Sequence, residues 1–221
     1  MLVAESVWAV VVARVGNGAK TRLAGALSRT QRRQLALAML ADVVDVCVQA
    51  RGLVAGTLAV VDSPDARLAV EHGGAIAVTD PGNGDMNAAV VAGLRAARER
   101  GATTALVVPG DVPLIGVSDF AALLEAAGAA SRAVIVGASH DGEGTNALLL
   151  RPPDVIVPGF GPPSLQRHVE AGLAAGALSL VCFDLRLALD VDTPADLATL
   201  RSSHPGPRTA AALAGLALVL E

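Results

Sequence analysis

The sequence predicts an α/β fold in which a mainly parallel mixed sheet is flanked by helices. Three observations carry that expectation. Short apolar runs, most of them rich in β-branched residues, alternate with longer stretches patterned at helical spacing, as strand–helix–strand crossovers require. With 221 residues, 52% of them apolar, and a mean hydropathy of +0.53, the chain is long and apolar enough to bury a sizeable core. No internal repeat and no linker divides it, so 1–221 reads as a single domain, with the segment from about 204 onward as a C-terminal helical extension.

Taken in order, strands are expected at Val7 to Ala13, Thr57 to Val61, Ala75 to Val78, Ala105 to Val108, Ala133 to Val136, Ala147 to Leu150 and Ser179 to Phe183. Ser28 and Gln31 form a capping box ahead of Leu35, Met39, Val43 and Val46, so a helix should run from there to about Ala50. Further helices follow Asp62-Ser63-Pro64, Gly84, Ser118, Pro163 and Thr193-Pro194, each opened by a capping residue or a first-turn proline. After Gly137 the alternation breaks. The segment SHDGEGTNALLLRPPDVIVPGFGPPS brings two strands together without the dozen or so residues of a parallel crossover, which predicts an antiparallel excursion.

Composition narrows the function. A net charge of −4 and a pI near 5.5 argue against binding driven by broad neutralisation of a nucleic-acid backbone. Cys47 and Cys182 lie in apolar runs, which points to buried thiols and a reducing cytoplasm rather than a disulfide framework. MLVAESVWAVVVAR carries Glu5 where a signal peptide has its basic region, so it is read as mature protein. Ala210 to Leu220 falls short of the roughly 20 apolar residues of a membrane span and is expected to be a packed terminal helix. Lys20 is the only lysine beside sixteen arginines, and there is no tyrosine. That bias belongs to a GC-rich genome, yet it leaves one lysine standing inside GNGAKTRL.

In doubly wound sheets ligands bind beyond the carboxyl ends of the strands, so the loops after the strands are where chemistry is sought. The first, ARVGNGAKTRL, sets Gly16 and Gly18 among Arg14, Lys20 and Arg22. Glycines let backbone amides approach an anion, and the cations neutralise phosphate oxygens; a solvated basic helix start would read the same way. Ala19 stands where a P-loop needs glycine, which argues against a Walker ATPase. The second, DPGNGDMNAAV, offers Gly82, Gly84 and Asn87 ahead of a helix, suited to a nucleotide or simply to a turn and a cap.

The third site rests on carboxylates. Asp111 lies just past the strand ALVVP, where it could cap a turn or reach a metal. Asp190 and Asp192, one residue apart in extended chain, point to the same side, while Thr193, Pro194 and Asp196 already supply the helix start. Three carboxylates at strand ends suggest a divalent-metal site, with Mg2+ the natural occupant. The fourth cluster, GEGTNALLL with FGPPSLQRH, offers Thr145, Asn146, the Gly161 amide and Ser164 as neutral donors for a small phosphorylated acid. Ser164 and His168 are four apart, but no G-x-S-x-G elbow is present, so His168 reads as a structural hydrogen bonder. His72, His140 and His204 have no ligand-like spacing and are read as surface residues.

The order AKTRL, LALAMLADVV, GDMNAAV, GDVPL, GTNALLL, FGPPSLQRH and DVDTPADL resembles the guanylyltransferases of coenzyme F-420 biosynthesis, which join GTP to phosphoenolpyruvate or 2-phospho-L-lactate. The resemblance spans about Val7 to Leu200 and implies a Rossmann-like nucleotidyltransferase fold of the nucleotide-diphospho-sugar-transferase type. It implies that Arg14, Gly18, Lys20, Arg22, Gly84 and Asn87 bind nucleotide, with Lys20, Arg22 and Asp111 catalytic. It further implies that Asp111, Asp190 and Asp192 surround Mg2+, and that Thr145, Gly161 and Ser164 hold the three-carbon acid. Ala13-Arg14 and Met86 depart from the family's usual Val-Lys or Pro-Lys and leucine; Arg14 keeps the charge but not the point-like geometry of lysine. The implied reaction is in-line attack by the acid's phosphate on the α-phosphorus of GTP with release of pyrophosphate, in an enzyme that needs neither nucleic acid nor membrane and could be a homodimer. A molybdenum-cofactor type of nucleotidyltransferase and a non-catalytic nucleotide-binding module are the alternatives.

Overall fold

Local hydrogen-bond chemistry sets where most elements begin. The computed structural model, which describes residues 5–16, 19–82 and 85–216, opens with β1 (Val7–Ala13) and a 3-10 turn (Thr21–Leu23). The Ser28–Gln31 capping box then starts α1 (Arg29–Gln49), matching the expected span. There follow β2 (Gly56–Val61), α2 (Pro64–His72) with Ser63 as its cap, β3 (Ile76–Thr79) and α3 (Met86–Glu99), capped by Asp85. Next come β4 (Thr104–Pro109), α4 (Val117–Ala127), β5 (Ala133–Ala138), β6 (Thr145–Arg151), α5 (Ser164–Ala174) and β7 (Leu178–Cys182). The chain ends in α6 (Leu185–Ala188), α7 (Pro194–Arg201) with a Thr193–Asp196 capping box, and α8 (Pro207–Ala214).

Seven strands form one sheet in the order β3-β2-β1-β4-β6-β5-β7. β1 pairs in parallel with both β2 and β4, and β5 with β7, while β6 runs antiparallel between β4 and β5. The excursion predicted after Gly137 is therefore the β5–β6 hairpin. Strand order reverses between β1 and β4, which makes the gap beyond their carboxyl ends the natural ligand crevice. The reversal of β6 has a second effect: its first residues, Thr145 and Asn146, lie at that same edge of the sheet.

Alternation along β1 divides the core. Ala9 and Val11 pack with α1 residues Val43, Val44 and Cys47 on one face, whereas Val10 and Val12 pack with Ala89, Val90 and Leu94 of α3 on the other. α3 approaches β1 closely because Gly93 carries no side chain; a Cβ there would strike Val10 and lie 3.0 Å from Val60 Cγ2. A third cluster joins Leu35 and Met39 of α1 to Leu197, Leu200 and Leu213 of α7 and α8, so the terminal helix is packed as expected. It spans Pro207–Ala214, starting three residues before the expected Ala210, and residues 217–220 of the expected segment lie outside the described residues. No described helix is long and apolar enough to cross a membrane. Cys47 is buried; Cys182, expected to be buried, is only partly so because β7 is an edge strand.

Candidate active site

Lys20, which follows β1 in sequence, lies against Asp111 just beyond the end of β4. Asp62, just past β2, accepts from the backbone amides of Val15 (2.9 Å) and Gly16 (3.1 Å) and pins the start of the loop after β1. Lys20 itself takes φ 52° and ψ 46°, the left-handed region, in the cap position of the 3-10 turn. For a residue with a Cβ this costs on the order of 1 kcal/mol, and such strain gathers at functional positions. Its ammonium donates to Asp111 and to Asp192 (2.9 Å), and Arg22 reaches the other oxygen of Asp192 at 3.2 Å. Burial by itself would lower the Lys20 pKa, but the two carboxylates outweigh it and hold the ammonium above its usual value.

Asp190 completes the acidic side. Its Oδ1 accepts from Asn146 at 3.1 Å, and the same amide group donates to the carbonyls of Leu187 and Ala188. Burial raises the Asp190 pKa most; the Asn146 bond pulls it back, and the negative charges of Asp111 and Asp192 push it up again. The Val191 amide donates to the Asp111 carbonyl (3.2 Å), joining the two acidic loops.

Two cavities meet at this cluster. One, of about 210 Å³, is lined by Arg14, Ala19, Lys20 and Gly110; the other, of about 460 Å³, by Thr145, Gly161, Ser164 and Asp190. Asp111 and Asp192 belong to both, so the cavities are halves of one cleft, in the size range of small-molecule sites. Among the described residues no three His, Cys, Asp or Glu side chains stand grouped as a ready ion cage, and the Lys20 ammonium lies between Asp111 and Asp192. The donor set nonetheless suits a hard divalent cation: Asp111, Asp190 and Asp192 are partly accessible carboxylates on one cavity wall, close enough for their charges to act on one another.

The remaining expected residues divide. Thr145, Gly161 and Ser164 share the larger cavity with Arg22, and Gly161 takes φ 95°, a conformation that favours glycine. Arg14 lines the smaller cavity and lies 3.6 Å from the buried Asp80. Asn87 holds a loop: its side chain accepts from the Phe160 amide (2.6 Å) and donates to the Phe160 carbonyl (3.2 Å). Gly18 and Gly84 lie outside the described residues. His140 is exposed, as expected, and the structure adds that it lines the larger cavity between Asp190 (3.7 Å) and Asp196 (3.8 Å). Its signal was positional. His140 and Asp62 lie one or two residues beyond a strand end, like Asp111, but neither spacing nor a motif singled them out.

The fold is shared with a nucleotide-diphospho-sugar transferase structure from Desulfovibrio desulfuricans G20 (TM-score 0.69, 19% identity, covering 89% of this chain and 87% of that one). A Mycobacterium tuberculosis protein solved as a manganese complex has the same fold at a TM-score of 0.56 and 21% identity, over 91% and 100% of the two chains. These structures share the fold; relatives of higher identity give the class, which is that of guanylyltransferases and so of nucleotidyltransferases. The phosphoenolpyruvate guanylyltransferases of Conexibacter woesei and Rubrobacter xylanophilus are 39% and 42% identical, over 94% and 90% of this chain and 92% and 95% of their own. The 3-phospho-D-glycerate guanylyltransferase of Phenylobacterium zucineum is 34% identical over 94% and 95%. With residues 8–212 matching the profile described as guanylyl transferase CofC like, the chain belongs to that family of enzymes.

Proposed function

We propose that the enzyme transfers GMP from GTP to phosphoenolpyruvate and releases pyrophosphate, supplying a step of coenzyme F-420 biosynthesis in a reducing cytoplasm. The observation that carries this reading is the shared wall of the cleft. Asp111 and Asp192 belong to both halves, Arg14 and Lys20 line the smaller one, and Arg22 stands in the larger one with Thr145, Asn146, Gly161 and Ser164. The cations Arg14, Lys20 and Arg22, which span both halves, suit a nucleoside triphosphate, and the neutral donors Thr145, Ser164 and the Gly161 amide suit a small phosphorylated acid.

Arg14, Lys20 and Arg22 neutralise the triphosphate, and Lys20 and Arg22 stabilise charge on the departing pyrophosphate. Gly18, Gly84 and Asn87 contribute to nucleotide binding, and Asn87 also holds Phe160, next to the acid-side turn at Gly161. Thr145, Gly161 and Ser164 hold the acid. Asp111, Asp190 and Asp192 would hold Mg2+, which when bound supplies neutralisation of the charge between two polyanions. The attacking phosphate oxygen is already largely ionised at neutral pH, its second pKa being about 6, so the residues here need only orient it and exclude competing water.

The test is a panel of GTP, CTP and ATP against phosphoenolpyruvate, 2-phospho-L-lactate and 3-phospho-D-glycerate, read by pyrophosphate release and product mass. The expected product is GMP joined to the phosphate of phosphoenolpyruvate through one diphosphate bond. Turnover with 3-phospho-D-glycerate alone would move the assignment to the activity named for the Phenylobacterium relative. Nucleotide binding without pyrophosphate release from any acid would favour a non-catalytic module, and release with molybdopterin alone the cofactor-type transferase.

A further inference from the structure

His168 is fully buried in α5 and engaged at both ring nitrogens. The Gly159 backbone amide donates to Nε2 at 2.9 Å, and Nδ1 lies 3.0 Å from Thr145 Oγ1. A backbone N–H can only donate, so Nε2 carries no proton and Nδ1 must carry one. The imidazole is neutral at physiological pH, because burial first and the neighbouring Arg167 charge second push its pKa down to about 4. Nδ1–H therefore donates to Thr145 Oγ1. The Ser164 hydroxyl is 3.1 Å from the same oxygen, so one of the two hydroxyls donates to the other. Whichever it is, one O–H remains. Neither hydroxyl has a further partner among the described residues, and both line the larger cavity.

We propose that His168 is a positioning residue whose fixed tautomer makes the Thr145–Ser164 pair a hydrogen-bond donor to the anionic group of the acid acceptor. With the opposite tautomer Nδ1 would accept, the hydroxyl protons would be drawn toward the ring, and the pair would show lone pairs to an anion. The proposal rests on the reading that the acid sits against Thr145, Gly161 and Ser164, and the experiment separates the two.

In His168→Asn the side-chain amide stays near the Nδ1 position and can donate to Thr145; in His168→Gln it reaches the Nε2 position and serves only Gly159. His168→Gln should raise KM for the acid about 10-fold, the scale of one charge-assisted hydrogen bond, with KM for GTP unchanged. His168→Asn should stay near the native value, and in a Thr145→Val background His168→Gln should add nothing. A role limited to holding Gly159 gives the reverse order and overturns the proposal, as does an equal rise for both substrates. If Thr145→Val leaves the acid KM unchanged, the acid site is misplaced; if it raises KM while His168→Gln does not, only the tautomer assignment fails. Imidazole 15N shifts of the native enzyme at neutral pH give a check that needs no variant. A protonated Nε2 would overturn the proposal.

Discussion

The Lys20 side chain, only 8% exposed, lies between two carboxylates on a left-handed backbone. Its two constraints are separable. Lys20→Ala and Lys20→Gly should both lower kcat by about 10²- to 10³-fold, since each removes one charge-stabilising group. The glycine variant should be the more stable by about 1 kcal/mol in urea unfolding, because glycine meets no Cβ penalty at this φ. Asp111→Ala and Asp192→Ala should each abolish pyrophosphate release at saturating Mg2+ while the circular dichroism spectrum stays native, since either change leaves Lys20 one carboxylate partner. His168 carries a pH signature. Its folded pKa lies below the unfolded value of about 6.5, so the unfolded chain binds more protons and its contribution to stability is complete above that pH. That contribution, about 3 kcal/mol at most, is lost as pH falls from about 6.5 to about 4. Urea midpoints of the native enzyme should drop across that window more than those of His168→Asn, and parallel curves would refute it.

At the scale of elements, boundaries were readable wherever a single side chain makes them. Ser28 with Gln31, Ser63 before Pro64, and Thr193 with Asp196 all cap the helices they were expected to cap. α4 begins at Val117, one residue before its expected signal at Ser118, because Asp119 bonds back to the Gly116 amide. The short α6 and the 3-10 turn were not foreseen; at three or four residues they carry no periodicity to read. Close packing between elements was equally hidden. Gly93→Ala should cost about 1–3 kcal/mol in chemical denaturation by forcing α3 away from β1 and β2, the usual penalty of overpacking.

For the whole molecule, the third hydrophobic cluster fastens α8 to α1 and α7, away from the cleft-lining residues. α8 rests on α1 and α7, its first turn bonded to the buried Asp42 through the Arg208 and Thr209 amides, and α7 follows directly on Asp192. Leu213→Ala should therefore lower stability by about 2–4 kcal/mol, the range for a buried leucine, while KM for the acid stays unchanged below the new melting temperature. A large rise in KM would mean that α8 shapes the cleft.

The sequence alone determined the alternation of strands and helices, the antiparallel excursion after Gly137 and the candidate residues of the cleft, because apolar period, caps and turn chemistry act over a few neighbours. Only tertiary structure decided which loops meet. It set the Lys20 ammonium between carboxylates ninety and more residues away, brought His140 into the cavity, turned the Asn87 side chain toward Phe160 and fixed the proton of His168. Those relations depend on strand order and on which groups are left to bond one another once water is excluded, and no local pattern encodes either.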